Sequence, residues 1–198
     1  MKMLWAMLLL TGIAVRCIAA EQSEIDVWAS LLRPQYFGER DIAVGKDIIE
    51  LRIPSRAEDA GVVPISVNAK IPQTAARYIR TLYIFIDRNP KPLAGRFDLT
   101  PAMGKADLAM RLRINQYTDV RVVAETNDGK LYMDSGYTRA SGGCSAPPPF
   151  LQLKEARKHI GEMKFHAHSA AHDGDVALGQ LLISHPNITG MQLDQRTR

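Results

Sequence analysis

Residues 120–137, VRVVAETNDGKLYMDSGY, contain the clearest structural signal in this chain. Two runs with many β-branched and aromatic side chains, 120–126 and 130–137, lie on either side of Asn127-Asp128-Gly129. An Asp-Gly pair between two such runs is a strong short-range signal for a β-hairpin, because glycine readily adopts the positive φ that a tight turn needs. The stretch therefore predicts two antiparallel strands.

Further short strands are predicted upstream of this hairpin, at 48–53, 62–69, 79–86, 97–99 and 106–114. The last of these alternates clearly, with Leu108, Met110 and Leu112 on one face and Arg111 and Arg113 on the other. Six or seven short strands separated by turn residues are typical of an all-β fold, here an immunoglobulin-like antiparallel β-sandwich. A small β-barrel is the alternative that the same pattern allows.

The first 20 residues have the layout of a secretory signal peptide. Lys2 precedes an apolar run over 4–15, and the small pair Ala19-Ala20 follows, so cleavage is predicted after Ala20. The run is shorter than the roughly 20 residues that a membrane-spanning helix needs, although an uncleaved anchor is the alternative. We therefore expect export to the periplasm and no membrane attachment after cleavage.

Charge and motif content argue against several classes of function. Loss of Lys2 and Arg16 with the signal peptide lowers the formal net charge from +4 to +2, because 23 basic side chains then stand against 21 acidic ones. So small a charge, with signs mixed along the chain, gives no basis for binding nucleic acid. The sequence has no G-x-S-x-G, no H-E-x-x-H and no phosphate-binding glycine loop, so neither an enzyme nor a cofactor is predicted.

The remaining chain divides into four predicted segments. These are a sandwich (21–140), a Gly-Gly-Cys arm with a proline-rich stretch (141–149), a linker (150–175) and the start of a second β module (176–198). The sandwich opens with a short amphipathic helix over 24–32, which Ser23 is predicted to cap and Pro34 to end.

Cys144 is the one cysteine that remains after the signal peptide, so an internal disulfide is impossible. It follows Gly142 and Gly143, which offer backbone freedom and little steric cover. We expect the sulfur to project beyond the folded body on a mobile arm. A partner would activate the thiol there for reaction with disulfides and other sulfur species.

Three histidines beyond the arm are weaker candidate site residues. His166, His168 and His172 form an H-x-H-x3-H pattern, and neutral imidazoles bind zinc and copper. No acidic or cysteine ligand accompanies them, so a solvated, histidine-rich linker is the simpler interpretation and no metal site is predicted. A blue-copper site is disfavoured because no histidine and methionine closely follow Cys144, and a catalytic Cys–His pair because the arm is expected to be mobile.

A family resemblance is carried by the arm and by the tail. Gly142-Gly143-Cys144, directly after the last predicted strand of the sandwich, resembles the Gly-Gly-Cys-Gly arm of SoxY, the sulfur-oxidation carrier. The stretch LLISHPNITGMQLD, residues 181–194, resembles the opening of SoxZ, the binding partner of SoxY. The order of the two parts resembles the fused SoxYZ-like carriers that are associated with periplasmic quinoprotein dehydrogenases.

The resemblance implies immunoglobulin-like folds, Cys144 as the covalent attachment point of the cargo, and Gly142 and Gly143 as the source of mobility. It also implies periplasmic partner enzymes of the sulfur-oxidation or quinoprotein dehydrogenase type. The chain departs from the family by having Ser145 after the cysteine and by continuing past the arm, and the SoxZ-like part, which stops at Arg198, is expected to be incomplete. The alternatives are an accessory module of a quinoprotein dehydrogenase system with Cys144 idle, or a metal-binding protein.

Overall fold

A computed structural model describes residues 26–146, 154, 158–168 and 178–184. The strands in these residues are β1 (Ile42–Val44), β2 (Ile49–Arg52), β3 (Val63–Ala69), β4 (Ile79–Ile86), β5 (Leu93–Asp98), β6 (Leu108–Leu112), β7 (Thr118–Thr126), β8 (Leu131–Thr138), β9 (Met163–His168) and β10 (Leu178–Ile183). A five-stranded sheet has the order β1-β8-β7-β4-β5, and a three-stranded sheet has the order β2-β3-β6. Strands β9 and β10 form a separate two-stranded ribbon.

The core lies between the five-stranded and the three-stranded sheet. Strand β3 buries every second side chain, and these apolar residues pack against alternate apolar residues of β4 and β7. The buried set from the three strands is Val63, Ile65, Val67, Ile79, Leu82, Ile84, Ile86, Val120, Val122 and Ala124. The all-β sandwich is thus confirmed, and two distinct sheets rather than a closed barrel enclose the core.

The outer face of the five-stranded sheet is covered by the N-terminal helix. Trp28, Leu32 and Phe37 from the helix pack on Phe85 of β4 and on Leu131 of β8. The rings of Trp28 and Phe85 meet edge to face, with centroids 5.4 Å apart. Strands β4 and β7 are therefore buried on both faces, which explains their unbroken apolar runs over 82–86 and 122–124.

The helix does not end at Pro34 as the sequence predicted. A π-helical turn, Trp28–Leu32, leads directly into an α-helix, α1 (Arg33–Phe37), and Gly38 with φ of 59° follows α1. Pro34 is the second residue of α1, directly after the π-helical turn, so its missing N–H falls where the regular α-helical hydrogen bonding is already interrupted. The predicted cap Ser23 and the predicted helix start lie outside the described residues.

The predicted strands correspond to β2–β8, and three differences stand out. The candidate at 97–99 overlaps only the end of the longer strand β5. Strand β1, which has three residues and pairs in parallel with β8, was not predicted. The third difference is a correction: residues 163–168, assigned to the linker 150–175, form strand β9 and pair with β10. Strand β10 lies within the predicted second module, and the residues of that module beyond 184, like the signal peptide, lie outside the described residues. None of the helices that the structure describes has the length and apolarity to span a membrane.

Candidate functional site

Cys144 lies in a tight turn just after β8 and is folded against the sandwich. The carbonyl oxygen of Gly142 accepts hydrogen bonds from the backbone N–H groups of Ser145, at 3.2 Å, and Ala146, at 2.9 Å. The hydroxyl of Ser145 also donates to this oxygen, at 3.2 Å. The turn closes around the cysteine, which is only 5% exposed.

Backbone hydrogen bonds fix the start of this turn to the loop that follows β6. The Gly142 N–H donates to the Asn115 carbonyl at 2.8 Å, and the Gly143 N–H donates to the Ile114 carbonyl at 2.9 Å. The Ile114 N–H in turn donates to the Ala60 carbonyl, also at 2.9 Å. The turn at 142–143, the loop at 114–115 and the segment at Ala60 are distant in sequence and are joined by these hydrogen bonds next to Cys144.

The two glycines serve close packing and turn geometry in this structure. A Cβ atom on Gly143 would lie 1.9 Å from the Ala60 carbonyl oxygen and 2.6 Å from that of Ile114, so no side chain fits there. Gly142 has open space around it but a φ of +78°, which side-chain-bearing residues rarely adopt. Each glycine is thus required for a different reason.

Arg113 holds the turn from both sides of the cysteine. One guanidinium nitrogen, Nη1, donates to the carbonyl oxygen of Gly143 at 2.7 Å and to that of Ala146 at 3.2 Å. Asn89 braces the same loop, because its side-chain amide donates to the Arg113 carbonyl at 2.7 Å and its Oδ1 accepts from the Asn115 N–H at 2.8 Å. We call the turn 142–146 with Arg113 the latch.

The latch changes the chemistry that is open to the thiol. Burial raises the pKa of Cys144 above its ordinary value, and the positive charge of Arg113 opposes this only in part. Because the thiolate is the nucleophilic form of cysteine, the latched sulfur is both shielded and weakly ionised. Exchange chemistry at this sulfur requires the latch to open.

The expectation that the sulfur projects from the folded body is therefore wrong for this conformation. The sequence correctly located the Gly-Gly-Cys segment after the last strand of the sandwich, but the segment folds back onto the loop after β6 instead of extending. Local composition could not reveal this, because the acceptors at Ile114 and Asn115 and the donor Arg113 lie 27 or more positions away in sequence. The proline-rich continuation at 147–149 lies outside the described residues.

Only part of the predicted histidine cluster lies in the described residues. His166 and His168 lie on β9, both exposed, while His172 lies outside the described residues. His159 contacts Glu162 through Nδ1 at 2.8 Å. In the described part of the chain, no group of three or more histidine, cysteine, aspartate or glutamate side chains is arranged to hold a metal ion.

A polar cavity of about 220 Å³, which the sequence did not predict, lies between the start of the helix and the ends of β4 and β7. Asp87 is buried there and accepts a hydrogen bond from Arg121 Nε at 2.8 Å, while its Oδ1 has no hydrogen-bond partner among the described residues. Burial raises the pKa of Asp87, and the Arg121 hydrogen bond opposes the rise. The described residues that line the cavity include neither cysteine nor histidine, so they offer no thiol chemistry.

Comparison with solved structures gives a sulfur carrier and a reductase with similar folds, both with TM-scores below 0.5. The sulfur carrier protein SoxY from Chlorobium limicola f thiosulfatophilum is 27% identical over 55% of this chain and 88% of its own, with a TM-score of 0.46. Superoxide reductase (neelaredoxin) from Ignicoccus hospitalis is 17% identical over 48% of this chain and 80% of its own, with a TM-score of 0.41. The comparison with curated proteins gives no match.

The family model described as "Sulfur oxidation protein SoxY" matches residues 33–144. The match covers more than half of the chain, starts at α1 and ends at Cys144 itself. SoxY proteins act with partner enzymes of sulfur oxidation and are in general periplasmic. This chain belongs to the SoxY family, whose members are sulfur-oxidation carriers and not enzymes, in agreement with the sequence prediction.

Proposed function

We propose that this chain is a periplasmic covalent carrier whose cargo is attached to Cys144, and that the latch protects the thiol between loadings. The observation that carries the proposal is the position of Cys144 in a turn held by Arg113 and a few backbone hydrogen bonds. Cys144 belongs to neither of the two apolar clusters that form the core, so the turn can open without loss of their packing. Docking of a partner enzyme would supply the free energy for opening.

The chemistry we propose is sulfur exchange. A Cys144 thiolate attacks one sulfur of an S–S bond, forms a new S–S bond to it and expels the other sulfur as the leaving group. With tetrathionate, attack at a central sulfur leaves a thiosulfate unit on Cys144 and releases the other thiosulfate. One S–S bond breaks as one forms, so no external oxidant is needed.

Burial of the thiol is useful to a carrier in an oxidising compartment. Thiolates that are exposed there react with oxidants and with other thiols in an uncontrolled way. A high thiol pKa combined with shielding keeps Cys144 unreactive until the turn opens. This gives the partner control over the timing of loading.

Export and the identity of the partners complete the proposal. The basic, apolar and small-residue pattern of 1–20 supports secretion with cleavage after Ala20. The resemblance of 181–194 to the opening of SoxZ supports a place among the fused carriers, with a quinoprotein dehydrogenase as the partner system. A pull-down from periplasm with the Cys144→Ser chain tests this partner, and recovery of only unrelated enzymes would contradict it.

One observation favours a second function. Because Cys144 is as well buried as core residues of the sandwich, it could also be a packing residue of an accessory module for the same dehydrogenase system. In that case the thiol would react only after global unfolding.

The test is intact mass after incubation of the native chain with tetrathionate. Because the latch opens only occasionally without a partner, loading of the native chain is slow, and after long incubation we expect a single thiosulfate adduct that a reducing agent removes and that is absent in the Cys144→Ser variant. If both the native chain and an Arg113→Ala chain, in which the latch is weakened, stay unmodified while the native chain in urea is fully modified, the cysteine belongs to the core and the accessory module is the correct function.

A pair of arginine variants tests the latch itself. Arg113→Ala removes two hydrogen bonds from a charged donor and should raise the rate of adduct formation about tenfold. Loss of the Arg113 charge by itself raises the thiol pKa and slows the reaction, so a faster rate has to come from opening. Arg111→Ala, which changes an exposed arginine two positions earlier, is the matched control and should leave the rate unchanged. A rate that is unchanged in Arg113→Ala would rule out the latch.

A further inference from the structure

Strand β9 arranges two histidines in a way that the linker interpretation did not anticipate. His166 and His168 are two positions apart on an extended strand, so both side chains point to the same face. Their Cα atoms are about 6.8 Å apart at the usual rise of a strand. Both residues are exposed, so their imidazoles are accessible to a solute.

The neighbouring strand adds an oxygen donor to the same face. Gln180 of β10 is the cross-strand partner of His166, and directly opposed side chains have Cβ atoms about 5 Å apart. Gln180 is also exposed. Two imidazole nitrogens along one strand and an amide oxygen across from them therefore share one open surface.

The opposite face of the ribbon is different in character. Met163 and Phe165 of β9 are paired with Ile183 and Leu181 of β10, and all four are more than half exposed. The alternation thus places the polar donors together on one face, where Leu182, the cross-strand partner of Lys164, is an apolar neighbour. Cross-strand register, and not local composition, creates this grouping.

We propose that His166 and His168 form a bidentate site for Cu²⁺, with the Gln180 side-chain oxygen as a third donor and water completing the coordination. Two nitrogen donors together with oxygen donors suit the tetragonal coordination that Cu²⁺ prefers. The same donor set binds Ni²⁺ and Zn²⁺ more weakly, as the Irving–Williams order requires. No thiolate takes part, so the site is independent of the carrier role of Cys144.

Charge near the site limits its affinity. Lys164 is two positions before His166 and shares the face of the histidines, so its ammonium group repels a bound cation. No carboxylate is present on this face of β9 and β10 in the described residues to offset that charge. Removal of Lys164 should therefore strengthen binding, which is a result that non-specific adsorption of copper to scattered histidines would not predict.

The experiment is a Cu²⁺ titration of the full chain in a Cys144→Ser background, followed by calorimetry and by electron paramagnetic resonance. We expect one ion per chain with nitrogen coupling from two imidazoles. His166→Ala and His168→Ala should each weaken binding at least tenfold, and Lys164→Ala should strengthen it about threefold. His159→Ala, outside the site and paired with Glu162, should have no effect.

A variant of unchanged composition tests the geometry. Exchange of the neighbours Ala167 and His168 (Ala167→His with His168→Ala) keeps both histidines but puts them on opposite faces of β9. Binding should fall as far as in His168→Ala. Retention of full affinity in this variant, or in His166→Ala, would overturn the proposed site.

Discussion

Two β-ribbons of this protein have similar hydrogen bonding and very different surroundings. Strands β7 and β8 are paired antiparallel over residues 118–126 and 131–138 and are joined by a tight turn, and β9 and β10 form the same kind of ladder over six residue pairs. Strand β7 is buried along almost its entire length, whereas every residue of β9 is exposed. The hydrogen-bonded ladder by itself therefore does not set the stability of a ribbon, which depends on the burial of its faces.

The difference also separates two kinds of function. The central ribbon, formed by β7 and β8, ends at Thr138, and the chain that follows folds back to form the latch around Cys144. The terminal ribbon, formed by β9 and β10, is not covered by any other described residues. Its imidazole and amide groups and its apolar side chains are therefore accessible to solutes and partners. A rigid frame therefore positions the thiol, and an open ribbon presents binding groups.

A leucine-to-alanine substitution in each of the two ribbons should give the largest difference, measured as the free energy of unfolding. Leu131→Ala in β8, where the side chain is 2% exposed, should lower the free energy of unfolding by about 2–5 kcal/mol, because it leaves a cavity beside Trp28. Leu181→Ala in β10, where the side chain is 55% exposed, should change it by less than about 0.5 kcal/mol. Urea unfolding followed by Trp28 fluorescence measures both free energies. Equal decreases in the two variants would show that burial does not distinguish the two ribbons.

Replacement of either latch glycine by alanine should have an effect of intermediate size on the stability of the turn and on the rate of thiol labelling. Gly143→Ala places a methyl group against the Ala60 carbonyl and should destabilise the latched turn by about 1–3 kcal/mol, so thiol labelling of Cys144 should become at least fivefold faster. Gly142→Ala has room for the methyl group and carries only the cost of a positive φ, about 1 kcal/mol. Slower labelling in Gly143→Ala than in Gly142→Ala would show that the turn is held in another way.

The smallest effect is expected at the turn of the central ribbon. Hydrogen bonds from Thr126 and Lys130 lower the pKa of Asp128 to about 2 from its ordinary value of 3.8. A carboxyl whose pKa is lowered by folding contributes stability above the ordinary value, and this contribution is lost as the pH falls through about 2. Asp128→Asn should therefore flatten the pH dependence of unfolding between about pH 4 and pH 2. Parallel curves for the two proteins would contradict this.

The strands were largely predictable from the sequence, and the exceptions have identifiable causes. Strand β4 was predicted at its observed bounds, because an apolar run bounded by turn residues has few alternatives. Strand β1 was missed, since three residues carry no periodicity and its partner β8 lies almost 90 positions further along the chain. Strand β9 was missed because His166 and His168 resembled a polar linker.

The sandwich, the hairpin turn at Asn127-Asp128-Gly129 and the identity of Cys144 as the one candidate thiol were all predictable from the amino-acid pattern, because alternation, turn chemistry and residue identity act over a few neighbouring positions. The burial of Cys144 in the latch and the pairing of His166 with Gln180 became visible only in the folded chain. Both facts depend on residues far apart in sequence that folding brings within hydrogen-bonding or cross-strand distance, and no local pattern encodes such encounters.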